Sequence, residues 1–161
     1  MNILQMLCKS SLIIGLTACS SSASKEENNH LEIKLLNMWE NNKFVKVTDL
    51  LEKNYEKICV LPPYGWEVFE EHNTSEVQRM NEYLKSIEYA NDEGAWSLVV
   101  LNNKKVELLK FHRANIDIFS SNRSKYLPES FVEEMCSTSQ DGYFYLSTVN
   151  KRKYITLGEK R

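Results

Sequence analysis

Glycine is scarce in this chain, five in 161 residues. None of the five opens a glycine-rich phosphate loop or a G-x-S-x-G nucleophile turn. The usual nucleotide cradle and the α/β-hydrolase arrangement are therefore not expected. Histidine is scarcer still. His30, His72 and His112 each lack a second ligand at the helical or strand spacing of a zinc site. Glu70-Glu71-His72 is missing the second His of the helical zinc motif and reads as a solvated loop, so no metal and no cofactor is expected. Lys and Arg number 20 against 22 Asp and Glu. With no basic stripe, nucleic acid is not an expected partner. No apolar run reaches the roughly 20 residues that a transmembrane helix needs, and no internal repeat is present.

What is there begins at the N-terminus. Lys9 is followed by the apolar core Ser11-Leu12-Ile13-Ile14-Gly15-Leu16, then by small residues and a cysteine. These are the parts of an export signal in order. Leu16-Thr17-Ala18-Cys19 resembles the lipobox of bacterial lipoproteins. The resemblance implies cleavage after residue 18, lipidation of Cys19 and anchorage to a membrane through that lipid. Ser20 is not Asp, the residue that in such proteins favours retention at the inner membrane. The expected address is the outer membrane of a Gram-negative cell, facing the periplasm. Residues 20–29 (SSSASKEENN) hold no apolar side chain larger than Ala23. They cannot bury enough surface to fold alone, and residues 19–29 read as a lipidated cysteine and a flexible tether.

Residues 30–161 then form one domain of about 130 residues. Apolar content of 42% suits a real core. Losing Lys9 leaves 19 basic and 22 acidic residues, a net charge of −3. Of four cysteines, Cys8 leaves with the signal and Cys19 carries lipid. Cys59 and Cys136 remain, an even pair in a chain bound for an oxidising compartment, which predicts a disulfide. It closes a loop of about 76 residues, for which chain entropy suggests roughly 4 kcal/mol.

Hydrophobic spacing predicts an α+β fold, mainly antiparallel β-sheet with one or two helices packed on one face. Residues 30–40 fit a strand (Leu31, Ile33, Leu35) as well as a helix (Leu31, Leu35, Trp39). Thr48 is a candidate N-cap for a short helix over 49–53. Residues 57–61 read as a buried strand stopped by Pro62-Pro63. Ser75 and Gln78 form a capping box for a helix over 75–89, with Val77, Met80, Leu84 and Ile87 on its inner face. Residues 96–101 and 105–111 make a hairpin about Asn102-Asn103-Lys104. Residues 115–119 read as a third strand, 120–125 as a polar loop, and 128–135 as a helix with Phe131, Val132 and Met135 inward. A second hairpin joins 143–149 to 153–157.

No catalytic set emerges. Asp92-Glu93 and Glu133-Glu134 are adjacent acids of the kind usually left solvated, and Arg113 at a strand end is by default a surface charge. The aromatics stand out. Tyr64, Trp66 and Phe69 follow the Pro-Pro stop. Tyr143-Phe144-Tyr145 are consecutive, so one face of that strand carries aromatic surface away from the core. Tyr and Trp anchors with polar rims are typical of protein interfaces, although packing under a loop or on a sheet's second face would also account for them. Tyr64, Trp66, Glu67, Phe69, Glu70, Tyr143 and Tyr145 are the candidate partner contacts, the two acids complementing a basic partner.

Residues 47–50 (VTDL) followed by 55–64 (YEKICVLPPY) resemble a pattern in small uncharacterised bacterial lipoproteins, as does the later strand from Lys105-Val106 to Arg113 with Asp117. That likeness spans roughly residues 45–120 and implies no activity. In general form (lipobox, size, cysteine pair, no catalytic motif) the chain is similar to the periplasmic immunity lipoproteins that accompany type VI secretion effectors. The resemblance implies a non-enzymatic protein that binds a secreted toxin. The alternatives are an envelope assembly or maintenance lipoprotein and a hydrolase with a dispersed site.

Overall fold

A computed structural model describes residues 21–39, 43–118 and 127–161, with backbone alone for 21–29. The proposed signal, Cys19 and the loop expected at 120–125 lie outside the described residues. The elements run α1 (Ser21–Met38), β1 (Phe44–Lys46), α2 (Val47–Leu51), β2 (Lys57–Leu61), α3 (Ser75–Ser86), β3 (Ala95–Asn102), β4 (Lys105–His112), β5 (Asp117–Ile118), β6 (Phe131–Glu133), β7 (Cys136–Ser137), β8 (Gly142–Val149) and β9 (Arg152–Lys160). The class is α+β, mainly antiparallel sheet, as the sequence predicts.

The strands divide into two sheets. One has the order β1-β8-β9-β5, with β6 also paired to β9; the other has the order β4-β3-β2-β7. β5 runs parallel to β9 against Tyr154 and Ile155, and β6 runs antiparallel to it against Gly158 to Lys160, so the two short strands share one edge. Both long hairpins close through two residues with positive φ, Asn103 and Lys104 in one, Asn150 and Lys151 in the other. Positive φ at both central positions is what a type I′ turn requires, and it matches the twist of the flanking strands.

β2 is buried along its whole length. Side chains alternate across a strand, so its two faces feed two cores. Ile58 and Val60 join Trp96, Leu98 and Val100 of β3 and face Phe144, Leu146, Ile155 and Leu157 of the other sheet. Cys59 and Leu61, with Val99 and Leu101, face Val77, Met80 and Leu84 of α3. The layers are thus α3, the four-stranded sheet and the five-stranded sheet, with Leu31 and Leu35 of α1 and all of α2's buried residues closing the larger core.

The ambiguous segment that begins at residue 30 is helical as far as Met38. Lys34 of α1 donates to the carbonyls of Asp49 (2.8 Å) and Leu50 (2.9 Å) and to Glu52 Oε1 (2.6 Å). A cation there satisfies orphan carbonyls and opposes the negative end of α2. Glu32, buried, accepts from the Asn115 side chain. Trp39 Nε1 donates to Thr148 Oγ1 at 3.2 Å, tying the helix end to β8.

Several local expectations are corrected. The backbone of residues 21–29, expected as flexible tether, continues α1. Ala, Lys and Glu are good helix formers, and propagation from a docked helix is far cheaper than nucleation. Thr48 does not cap α2; the helix starts two residues earlier than expected, from Lys46, without a side-chain cap. The capping box at Ser75 is likewise out of register, since Thr74 is the N-cap, with no side-chain cap bond, and α3 ends at Ser86. Ile87, expected inside, is 46% exposed. Residues 128–135 are not a helix. Phe131–Glu133 pair with β9, Glu134 N–H donates to Leu157 O, Val60 N–H donates to Met135 O, and the chain enters the other sheet at Cys136. Backbone pairing with two distant strands outweighs local propensity.

Candidate docking surface

Cys59 and Cys136 are directly opposed in the β2–β7 ladder and form a disulfide, Cα to Cα 4.0 Å. From this crosslink the chain leaves β2 and enters the aromatic loop of residues 62–74. Pro62 and Pro63 have no N–H to continue the ladder, and a turn closes with Gly65 N–H donating to Pro62 O at 2.9 Å. A side chain at position 65 would meet Pro62 O at 2.8 Å, so only glycine fits. Tyr64 occupies the left-handed region at φ 59°, where Gly or Asn is the usual occupant. Bulky residues held there cost on the order of 1 kcal/mol and concentrate at functional sites.

The loop is braced from behind. Asn91, buried, donates to Leu61 O (2.8 Å) and Pro62 O (3.2 Å), and its N–H donates to Gly65 O (3.0 Å). Its own Oδ1 accepts from the hydroxyls of Tyr89 and Ser97, both at 2.9 Å. Asn81 of α3 brackets Val68, accepting from its N–H and donating to its carbonyl. Val68 is 1% exposed and packs in the smaller core. Cys136 Sγ approaches Phe69 O at 3.4 Å.

On this scaffold Tyr64 (67%), Trp66 (64%) and Phe69 (61%) are exposed. Tyr64 OH donates to Glu93 Oε2 at 2.8 Å, and holding that proton raises the phenol pKa. Between the loop and α3 lies an open groove of about 730 Å³, lined by Trp66, Glu67, Glu82, Leu84, Lys85, Glu88 and Tyr89 among others.

The structure does not unite all the candidate contacts. Tyr64, Trp66, Glu67 and Phe69 share the loop. Glu70 is held by Lys57 and by Thr74 Oγ1 (2.9 Å), so its carboxylate anchors the loop's far end. Tyr143 and Tyr145 lie on the face of β8 opposite the buried Phe144 and Leu146. Both are half-buried, and the Tyr145 ring packs 5.3 Å from Phe44 and 5.7 Å from Phe131. That face is the far side of the five-stranded sheet, whereas the groove adjoins α3 beyond the four-stranded one. The two aromatic clusters are separate surfaces.

Sequence reading missed Asn81, Asn91 and the groove carboxylates Glu82 and Glu88. One signal existed: Asn81 falls on the helical stripe of Val77, Met80 and Leu84, where a polar residue needs a buried partner. Arg113 is structural. It pairs with Asp117 at 2.7 and 3.0 Å, Arg152 pairs with the same carboxylate at 2.8 Å, and the Asp117 side chain is 4% exposed. Burial raises the pKa of both Glu133 and Glu134; for Glu134 the carboxylates of Glu159, Glu70 and Glu71 add to the effect. Among the described residues no three His, Cys, Asp or Glu side chains are grouped to hold a metal, and no helix is long and apolar enough to cross a membrane. The chain matches no family model, no curated protein and no solved structure.

Proposed function

We propose that this chain is a lipid-anchored lipoprotein of the outer membrane, facing the periplasm, that holds a protein partner through the aromatic loop. In that role it is an immunity or inhibitor protein against a secreted toxin, and not an enzyme. One observation carries the reading: three large aromatics are left more than half exposed on a loop braced by two asparagine side chains. Rigid, solvent-facing Tyr and Trp anchors supply contact area at little entropic cost, which is how binding surfaces are built. The Cys59–Cys136 disulfide is in keeping with an oxidising compartment.

The test is a crosslinked pull-down of the native protein from its own cells, read by mass spectrometry. A stoichiometric toxin-like enzyme whose activity the protein inhibits supports the proposal. Envelope-machine subunits instead transfer it to the assembly class. Anchorage is checked separately: Cys19→Ser is expected to leave the protein unprocessed or soluble, and unchanged fractionation with membranes counts against the lipid.

A further inference from the structure

We infer that the groove between the aromatic loop and α3 receives a basic segment of the partner, its Arg or Lys side chains lying over Trp66 toward Glu82 and Glu88. This rests on the protein-binding reading and specifies the chemistry of the partner. The charged side chains lining the groove are Glu67, Glu82, Glu88 and Lys85, three carboxylates against one ammonium. Six carboxylates outside the groove, Glu52, Glu56, Glu70, Asp92, Glu107 and Asp117, lie in ion pairs. Among the described residues, none of the three groove carboxylates does.

Glu88 is the most telling. α3 ends in a Schellman motif, with Tyr89 N–H donating to Leu84 O (3.0 Å) and Glu88 N–H to Lys85 O (3.2 Å). Glu88 is the residue past the cap and adopts φ 50°. Glycine is the usual occupant of that position, and the negative end of a helix favours a cation rather than an anion. A carboxylate there breaks both preferences; Glu52, which also stands in left-handed backbone at a helix end, is answered by Lys34, whereas among the described residues Glu88 has no ion-pair partner. The neighbouring indole face of Trp66 attracts cations, guanidinium above all. The half-buried Tyr89 gives the aliphatic stem an apolar floor. The occupant that satisfies the carboxylates, the indole and the apolar floor together is a cationic side chain with a long hydrocarbon stem.

The test uses the purified full-length protein and three fluorescein-labelled decapeptides of equal apolar content. Their alternate positions are Arg, Ser or Glu, and binding is followed by fluorescence anisotropy. The Arg peptide is expected to bind about tenfold tighter than the other two, with an affinity that weakens as salt is added. Trp66→Ala and the double variant Glu82→Gln/Glu88→Gln should each abolish the preference while the thermal midpoint is kept. Glu88→Gly should raise that midpoint and still weaken binding. Equal affinity for all three peptides overturns the inference, as does an Arg preference that survives both variants. A native partner whose capture is indifferent to Glu82→Gln/Glu88→Gln overturns it too, while leaving the protein-binding reading intact.

Discussion

Asn81 holds Val68 by both of its backbone groups, accepting from the N–H at 2.8 Å and donating to the carbonyl at 3.0 Å. One side chain of α3 thus does for the aromatic loop what a neighbouring strand does for a sheet edge. Asn81→Ala leaves two half-buried backbone groups without partners and should cost about 2 kcal/mol. Asn81→Asp keeps the acceptor but turns a carboxylate toward the Val68 carbonyl, so it should be no milder. Chemical denaturation gives the stability change. Faster hydrogen exchange at the Val68 amide, with core strands still protected, would locate it in the loop. Unaltered exchange there would show that the bracket does not hold the loop.

Trp66 and Trp96 test the division between surface and core. Trp96 is fully buried, stacks on Phe111 at 4.4 Å and donates to Ile116 O at 2.8 Å. Trp96→Ala should cost about 3–5 kcal/mol. Trp66 is 64% exposed, and Trp66→Ala should stay within about 0.5 kcal/mol while weakening partner binding. A large stability loss from Trp66→Ala would make it a core residue.

The disulfide joins β7, two residues long, to the central β2. Protein unfolded without reductant should show no titratable thiol from Cys59 or Cys136. Cys59→Ala/Cys136→Ala should lower stability by about 2–4 kcal/mol. Two free thiols in the untreated protein would contradict the bond.

Burial raises the pKa of Glu133 above its ordinary 4.5. Between pH 4.5 and the raised folded-state value the unfolded chain ionises first, so stability falls as pH rises through that window, and above it the native protein keeps the cost of a poorly solvated charge. Below pH 4.5 both states are protonated and the penalty disappears. Glu133→Gln should therefore stabilise the protein at pH 7, and the gain should fade as pH falls through 4.5. Denaturation midpoints of the two proteins across that range decide it; a gain independent of pH would mean that ionisation is not the cause.

Elements with a strong hydrophobic or turn pattern of their own were legible in the sequence. β2 occupies residues 57–61, the hairpins turn on the expected Asn and Lys, and Val77, Met80 and Leu84 face inward. The cysteine pair followed from counting. Local signals misled where the partner was distant. Phe131-Val132-Glu133 has the composition of a helical turn after Pro128, yet it forms a strand because β9 offers an edge. Helix starts failed by two residues at Lys46 and by one at Thr74, where the preceding strand or the Glu70 anchor sets the entry of the chain.

Composition and patterning by themselves determined the α+β class, the buried strand at residues 57–61 and the even cysteine pair, because each can be read from residue types and their spacing along the chain. Only the tertiary structure decided that the strands split into two sheets and that Tyr143 and Tyr145 sit apart from the loop. It also decided that Glu70 is an anchor and that Glu82 and Glu88 line one groove with Trp66. Those facts depend on which distant segments satisfy each other's backbone and charge, and no periodicity along a single segment records that choice.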